Sequence, residues 1–108
     1  MRRVVVRYKV KAERVEEHKA LIREVFAALA EAKPAGLDYQ ALELADGRSF
    51  VHLATVSTVS VEDNPLPRLP AFKAFLVGIA DRCEEQPVSS EALEVGGYRA
   101  ESSALPAR

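Results

Sequence analysis

Two strand-like runs, Leu37 to Leu44 and Arg48 to Ser57, are separated by only Ala45-Asp46-Gly47. An Asp-Gly step is among the strongest short-range hairpin signals, because both residues tolerate the positive φ that a tight turn between twisted strands demands. The step also fixes register. With Asp46 and Gly47 as a two-residue turn, Ala45 faces Arg48, Glu43 faces Phe50, Ala41 faces His52 and Tyr39 faces Ala54. Strand alternation then puts Tyr39, Glu43, Phe50 and His52 on one side and Leu42, Leu44, Val51 and Leu53 on the other. The second set is the more apolar, so it is expected to face the helices, with the mixed set looking away from them. A three-residue turn would invert this assignment.

The flanking segments supply the remaining elements. Arg3 to Val10 alternates Val4, Val6, Tyr8 and Val10 against Val5, Arg7 and Lys9, as a half-buried strand requires. From Glu13 the apolar period lengthens: Val15, Leu21, Ile22, Val25, Phe26 and Leu29 form one stripe of a long amphipathic helix. Lys33-Pro34-Ala35-Gly36 ends that helix. Val59 to Pro67 reads as a loop. Leu69, Phe72, Leu76, Ile79 and Cys83 then recur at helical spacing, with Pro70 in the first turn. Val88 to Tyr98 offers a last strand, with Gly96-Gly97 as its bulge.

The order is βαββαβ. Right-handed crossovers turn it into a ferredoxin-like α+β fold: a four-stranded antiparallel sheet in order 4-1-3-2 with two helices on one face. A chain of 108 residues supports one core, so residues 1–99 form a single domain and residues 100–108 a flexible tail. Two helices cover one sheet face, and large apolar groups stand on both. The open face therefore calls for a cover, and a second copy, giving a homodimer, is the simplest.

Composition narrows the function classes. The 15 basic and 16 acidic residues nearly cancel and are interspersed, so no positive field draws nucleic acid. Arg2 and Arg3 before Val4 to Val6 imitate a signal peptide, but Arg7 and Lys9 return before an apolar region forms. With no segment long enough to cross a bilayer, no membrane partner is expected and a cytoplasmic address is the default. Cys83 is the sole cysteine and there are two histidines, which leaves no disulfide and too few ligands for a structural zinc site, so no metal is expected.

The Pro34-Ala35-Gly36 lead into the second strand, Tyr39 after it, and Asp46-Gly47 before Phe50-Val51-His52, set in the βαββαβ order, resemble the antibiotic-biosynthesis-monooxygenase-like branch of the dimeric α/β-barrel superfamily. The resemblance spans nearly the whole chain. It implies a homodimer whose two sheets form a barrel, and a ligand cavity in each subunit between sheet and helices or within the barrel. It also implies activities ranging from cofactor-free oxygenation of aromatic molecules to haem degradation. The haem-degrading members use a tryptophan, an asparagine and a helix-borne histidine. This chain has no Trp, its one Asn is Asn64 in a loop, and its second helix has no His, which disfavours that activity.

Cofactor-free oxygenation needs no cofactor because the aromatic substrate itself reduces oxygen, while the protein supplies a base, hydrogen bonds to a forming anion and a dry pocket. His52 and Tyr39 are the candidate catalytic residues, with Glu43, Phe50 and Phe75 as candidate contacts to a small aromatic ligand. The residues equally allow a structural His52 in a non-catalytic dimer that binds a small molecule or another protein. His18, between Glu17 and Lys19, reads as solvated or edge-packed, and Cys83 as the last buried position of the second helix. Phe72 and Phe75 do not share one core line, so one of them is expected to reach a cavity or a partner subunit.

Overall fold

The computed structural model describes residues 1–57 and 64–100. The elements are β1 (Arg2–Val10), α1 (Val15–Ala32), β2 (Leu37–Glu43), β3 (Ser49–Val56), α2 (Pro70–Leu76), α3 (Ile79–Arg82) and β4 (Cys83–Ala92), with 3-10 turns at Ala12–Arg14 and Leu66–Arg68. The strands form one sheet in the order β2-β3-β1-β4, the expected order read from the other edge. All three pairings are antiparallel. The rest of the loop expected at Val59–Pro67 and the tail after residue 100 lie outside the described residues.

The hairpin register is the expected one, with Tyr39 opposite Ala54, Ala41 opposite His52 and Glu43 opposite Phe50. The turn is not the two-residue one: the Gly47 N–H closes on the Leu44 carbonyl at 3.0 Å around Ala45 and Asp46, and Asp46 is not at positive φ. Gly47 sits at φ +71°, in the left-handed region. The Asp46 carboxylate holds the turn, accepting from the backbone N–H groups of Arg48 and Ser49 and from the Ser49 hydroxyl at 2.6–2.9 Å. Those three donors hold its carboxyl down at about 2. At the end of α1, Lys33 takes φ +47° and its N–H closes on the Leu29 carbonyl at 2.8 Å, a left-handed cap that Pro34 then cannot extend.

The choice of sheet face is reversed. Tyr8, Phe50 and His52 are buried beneath the helices with Val25 and Phe75, whereas Leu42 and Leu44 are 40% and 39% exposed on the other side. Register was right and polarity misleading. A phenol or imidazole opposes burial only while its polar atoms lack partners, and here they satisfy one another, so the aromatic area of the mixed set outweighs the aliphatic set.

The second helix is also not continuous. It stops at Leu76, the chain passes through extended Val77 and left-handed Gly78 at φ +73°, and a single further turn follows. β4 therefore begins at Cys83 rather than Val88. Cys83 is buried as expected, but as the first residue of a strand opposite Val10. β4 was hard to see because it is a polar edge strand, and Pro87 is tolerated there because an edge strand need not donate on both sides. The register shifts twice, at Gln86 and Pro87, two residues opposite Tyr8 alone, and at Glu84 between the Lys9 and Val10 pairings, and not at Gly96-Gly97, which lie beyond the strand. Two of the basic residues of β1 are ion-paired at the far end of β4, Arg2 with Glu91 at 3.0 Å and Arg3 with Glu94 at 3.2 Å.

Gly47→Val forces a β-branched residue into positive φ, so we expect a loss of about 1 kcal/mol or more in thermal or urea unfolding. An unchanged melting temperature would show that the turn relaxes at no cost.

Candidate functional site

The sheet register gathers three polar aromatic residues on the face beneath the helices. His52 is central on β3, paired with Val6 on one side and Ala41 on the other. Tyr8 and Tyr39 are each one diagonal step away, within reach of long side chains. The Tyr39 hydroxyl lies 2.5 Å from His52 Nδ1, and the Tyr8 hydroxyl lies 2.7 Å from His52 Nε2. Tyr8 also bonds His18 Nε2 at 2.6 Å, and Arg82 Nε donates to His18 Nδ1 at 3.1 Å. Five side chains from β1, β2, β3, α1 and α3 thus form one unbroken chain of hydrogen bonds.

Arg82 closes the buried end. It is 2% exposed, and among the described residues no carboxylate pairs with it. Its other donors go to backbone carbonyls at the end of α2, Val77 at 2.9 Å and Phe75, which have no partner within the broken helix. Its guanidinium also lies 5.7 Å from the Phe75 ring centre. One side chain therefore caps α2 and anchors the chain of hydrogen bonds.

Burial sets the protonation states. Removal from water disfavours charge on His18, which the nearby Arg82 cation disfavours further, and its pKa falls to about 4. Burial alone lowers His52 to about 4. Desolvation raises both Tyr8 and Tyr39, so both phenols stay protonated. At neutral pH the network consists of two neutral imidazoles, two neutral phenols and one permanent cation.

A cavity of about 340 Å³ adjoins the network between the sheet and α2. Its walls are mostly apolar, from Val4, Val6, Val56, Leu66, Phe72 and Ile79; Tyr8, Tyr39 and His52 form one polar side, and Arg2 and Asn64 also line it. Phe26 stacks on Tyr39 with ring centres 5.2 Å apart, fixing the phenol at the cavity wall.

Of the candidates read from sequence, His52, Tyr39 and Phe75 all line this cavity. Glu43 and Phe50 do not. Glu43 is on the same sheet side but near the hairpin end, paired with Lys19 at 2.8 Å, and Phe50 is core, stacked on Tyr8. Phe72 and Phe75 stack at 5.9 Å and both reach the cavity, because α2 presents successive turns to it. His18 is 0% exposed, contrary to the solvated reading. Its signal was present: Val15, His18, Ile22, Val25 and Leu29 fall at three- and four-residue spacing, so the imidazole belongs to the apolar stripe. Arg82 carried no signal, since an arginine ending a helix is ordinarily solvated.

No family model and no curated protein matches the chain. Solved structures do. A Bacteroides thetaiotaomicron protein provisionally named antibiotic biosynthesis monooxygenase superposes with a TM-score of 0.75 at 17% identity, over 93% of this chain and 95% of its own. A Nitrosomonas europaea protein provisionally given the same name gives 0.70 at 19%, over 89% and 100%. A variant of SnoaB, a cofactor-independent oxygenase from Streptomyces nogalater, gives 0.64 at 14%, over 89% and 94%. The class that fold and topology define is ferredoxin-like α+β. Within it, the chain has the fold of the antibiotic biosynthesis monooxygenase structures, as the resemblance in its sequence implied.

The imidazole pKa values predict an acid-side loss of stability. Between pH 6.5 and 4 the unfolded chain binds protons that folded His18 and His52 refuse, so their contribution is full above pH 6.5 and falls as pH drops through that window. The expected slope is at most about 1.4 kcal/mol per pH unit for each imidazole. Melting temperatures from pH 6.5 to 5, where ordinary carboxylates remain ionised, should drop in the wild type and drop less in His52→Gln. A flat wild-type profile would mean that the imidazoles charge freely in the folded state.

Proposed function

We propose that this chain is a homodimeric protein whose cavity beneath α2 takes a small aromatic molecule, and that it oxygenates that molecule without a cofactor. The observation that carries the reading is a cavity of about 340 Å³ with mostly apolar and aromatic walls, a polar side formed by tyrosine and histidine, and Arg2 and Asn64 as its further polar residues. The likeness in fold to SnoaB, a cofactor-independent oxygenase, supports the reaction class.

In such a reaction an activated CH₂ or phenolic substrate loses a proton, and its anion reduces dioxygen. Two C–H bonds break in a CH₂ substrate, or one C–H and the O–H in a phenol; a C=O bond forms with one oxygen atom, and the other leaves as water with the two hydrogens, the substrate supplying all four electrons. The protein's part is to exclude water, to position the substrate and to stabilise the anion. Tyr39 is placed to meet the substrate's oxygen, His52 acts through Tyr39, and Phe75 packs against the ring.

A second reading, binding without turnover, is favoured by one observation. Both His52 nitrogens are bonded to tyrosines, and a pKa of about 4 makes the imidazole a weak base. Calorimetric titration with phenols, quinols and polyketide-like aromatics, run beside an oxygen electrode, separates the two. Micromolar binding with oxygen uptake that falls at least tenfold in Tyr39→Phe is the expected result. Binding without uptake leaves the second reading, and no binding by any of these compounds defeats both.

Homodimerisation is supported by the outer sheet face, where Leu42 and Leu44 are exposed beside half-buried Val5, Val51 and Leu53. Leu93, Val95 and Tyr98, just beyond β4, are almost fully exposed as well. Light scattering at micromolar concentration should give twice the chain mass. Leu42→Glu combined with Leu53→Glu should move it towards the monomer, and a folded wild-type monomer would remove this part of the reading.

A further inference from the structure

We infer that Arg82 gives the buried hydrogen-bond chain a single direction, so that Tyr39 presents a hydroxyl proton to the cavity and selects ligands that offer an acceptor oxygen there. This rests on the reading of the cavity as a small-molecule site, and it adds which atom of the ligand is recognised and why.

The direction follows from donor and acceptor bookkeeping. A guanidinium only donates, so His18 Nδ1, 3.1 Å from Arg82 Nε, must be the acceptor nitrogen. A neutral imidazole with a bare Nδ1 carries its proton on Nε2, and His18 Nε2 faces the Tyr8 hydroxyl at 2.6 Å. His18 therefore donates to the Tyr8 oxygen. Tyr8 has its own proton left to give, and the second nitrogen within reach is His52 Nε2 at 2.7 Å. His52 accepts there and so carries its proton on Nδ1, which donates to the Tyr39 oxygen at 2.5 Å. Of the phenol and imidazole protons in the series, the Tyr39 hydroxyl proton is then the only one without an acceptor among the described residues, and Tyr39 lines the cavity.

Two further features fit this end point. The cavity's other walls are mostly apolar, with Arg2 and Asn64 as its further polar residues, and within the side formed by Tyr8, Tyr39 and His52 it is Tyr39 that has a proton free for a ligand carbonyl or phenolate oxygen. A buried cation with no carboxylate partner stands at the far end, and each donor in the series polarises the next, which strengthens the terminal hydroxyl as a donor to an oxygen gaining negative charge. Arg82 is in this sense a positioning residue: it touches no ligand but decides which way the protons point.

The test begins with the ligand-free wild-type protein and needs no variant to fold. Long-range proton–nitrogen correlation spectra at pH 7 report which nitrogen of each imidazole is protonated. His18 should be the Nε2–H form and His52 the Nδ1–H form, the latter being the minor tautomer of histidine in water. An Nε2–H His52, or an Nδ1–H His18, overturns the direction. Recognition is then read with two probes of one shape, 2-acetylnaphthalene and 2-isopropenylnaphthalene, which differ in C=O against C=CH₂. In Tyr39→Phe the ketone's affinity relative to the alkene should fall about five- to tenfold from its wild-type value. The expected tautomers with an unchanged ratio would overturn the recognition. Failure of both probes and of the wider aromatic panel to bind the wild type would instead sink the small-molecule reading on which it depends.

Discussion

Arg82 is a charge that cannot be neutralised, placed where water does not reach. No carboxylate among the described residues answers it, so its donors have to be met by neutral oxygen and nitrogen atoms arranged around it. Two of those atoms are carbonyls at the end of α2, and the third is a ring nitrogen of α1. One side chain therefore ties together the two helices that cover the sheet and fixes the height of α2 above it. The cavity exists because α2 is short and held at that end, and its polar side exists because the same guanidinium starts the series that finishes at Tyr39.

Gly78 makes this possible. Had the second helix run on through Cys83, as its apolar spacing invites, the carbonyls of Phe75 and Val77 would be spent on the helix's own ladder and Arg82 would have nothing there to bind. The left-handed glycine breaks the ladder, frees the carbonyls and turns the chain so that the arginine points back beneath the helix. It also starts β4 several residues early, which puts Cys83 rather than Val88 opposite the end of β1.

Sequence made the sheet legible almost completely, because register follows from turn chemistry and alternation, both of which are local. Asp46 and Gly47 were enough to pair Tyr39 with Ala54 and Ala41 with His52. The choice of buried face was not local: it depended on whether four polar aromatics from three strands and a helix could satisfy one another, and no pattern within one element reports that. His18 lay on a visible helical stripe and was passed over because its neighbours in sequence are charged. Arg82 left no trace at all, since nothing in its surroundings distinguishes a buried cap from a solvated one. The site was thus half legible: the strand-borne members could be placed from pairing, and the helix-borne members required the packing.

The continuity of the hydrogen-bond chain constrains how this protein can change over generations. Removing Tyr8 alone leaves Nε2 of both His18 and His52 unpaired, and each buried polar atom left without a bond costs roughly 1–3 kcal/mol, a large part of a small domain's stability. Replacing the whole set with apolar residues of similar size removes the bonds and the need for them together, which is far less costly. Single steps are therefore penalised and concerted ones are not. Descendants of this sequence should hold Tyr8, His18, Tyr39, His52 and Arg82 as a block or lose them as a block, so that these five positions are inherited as one character.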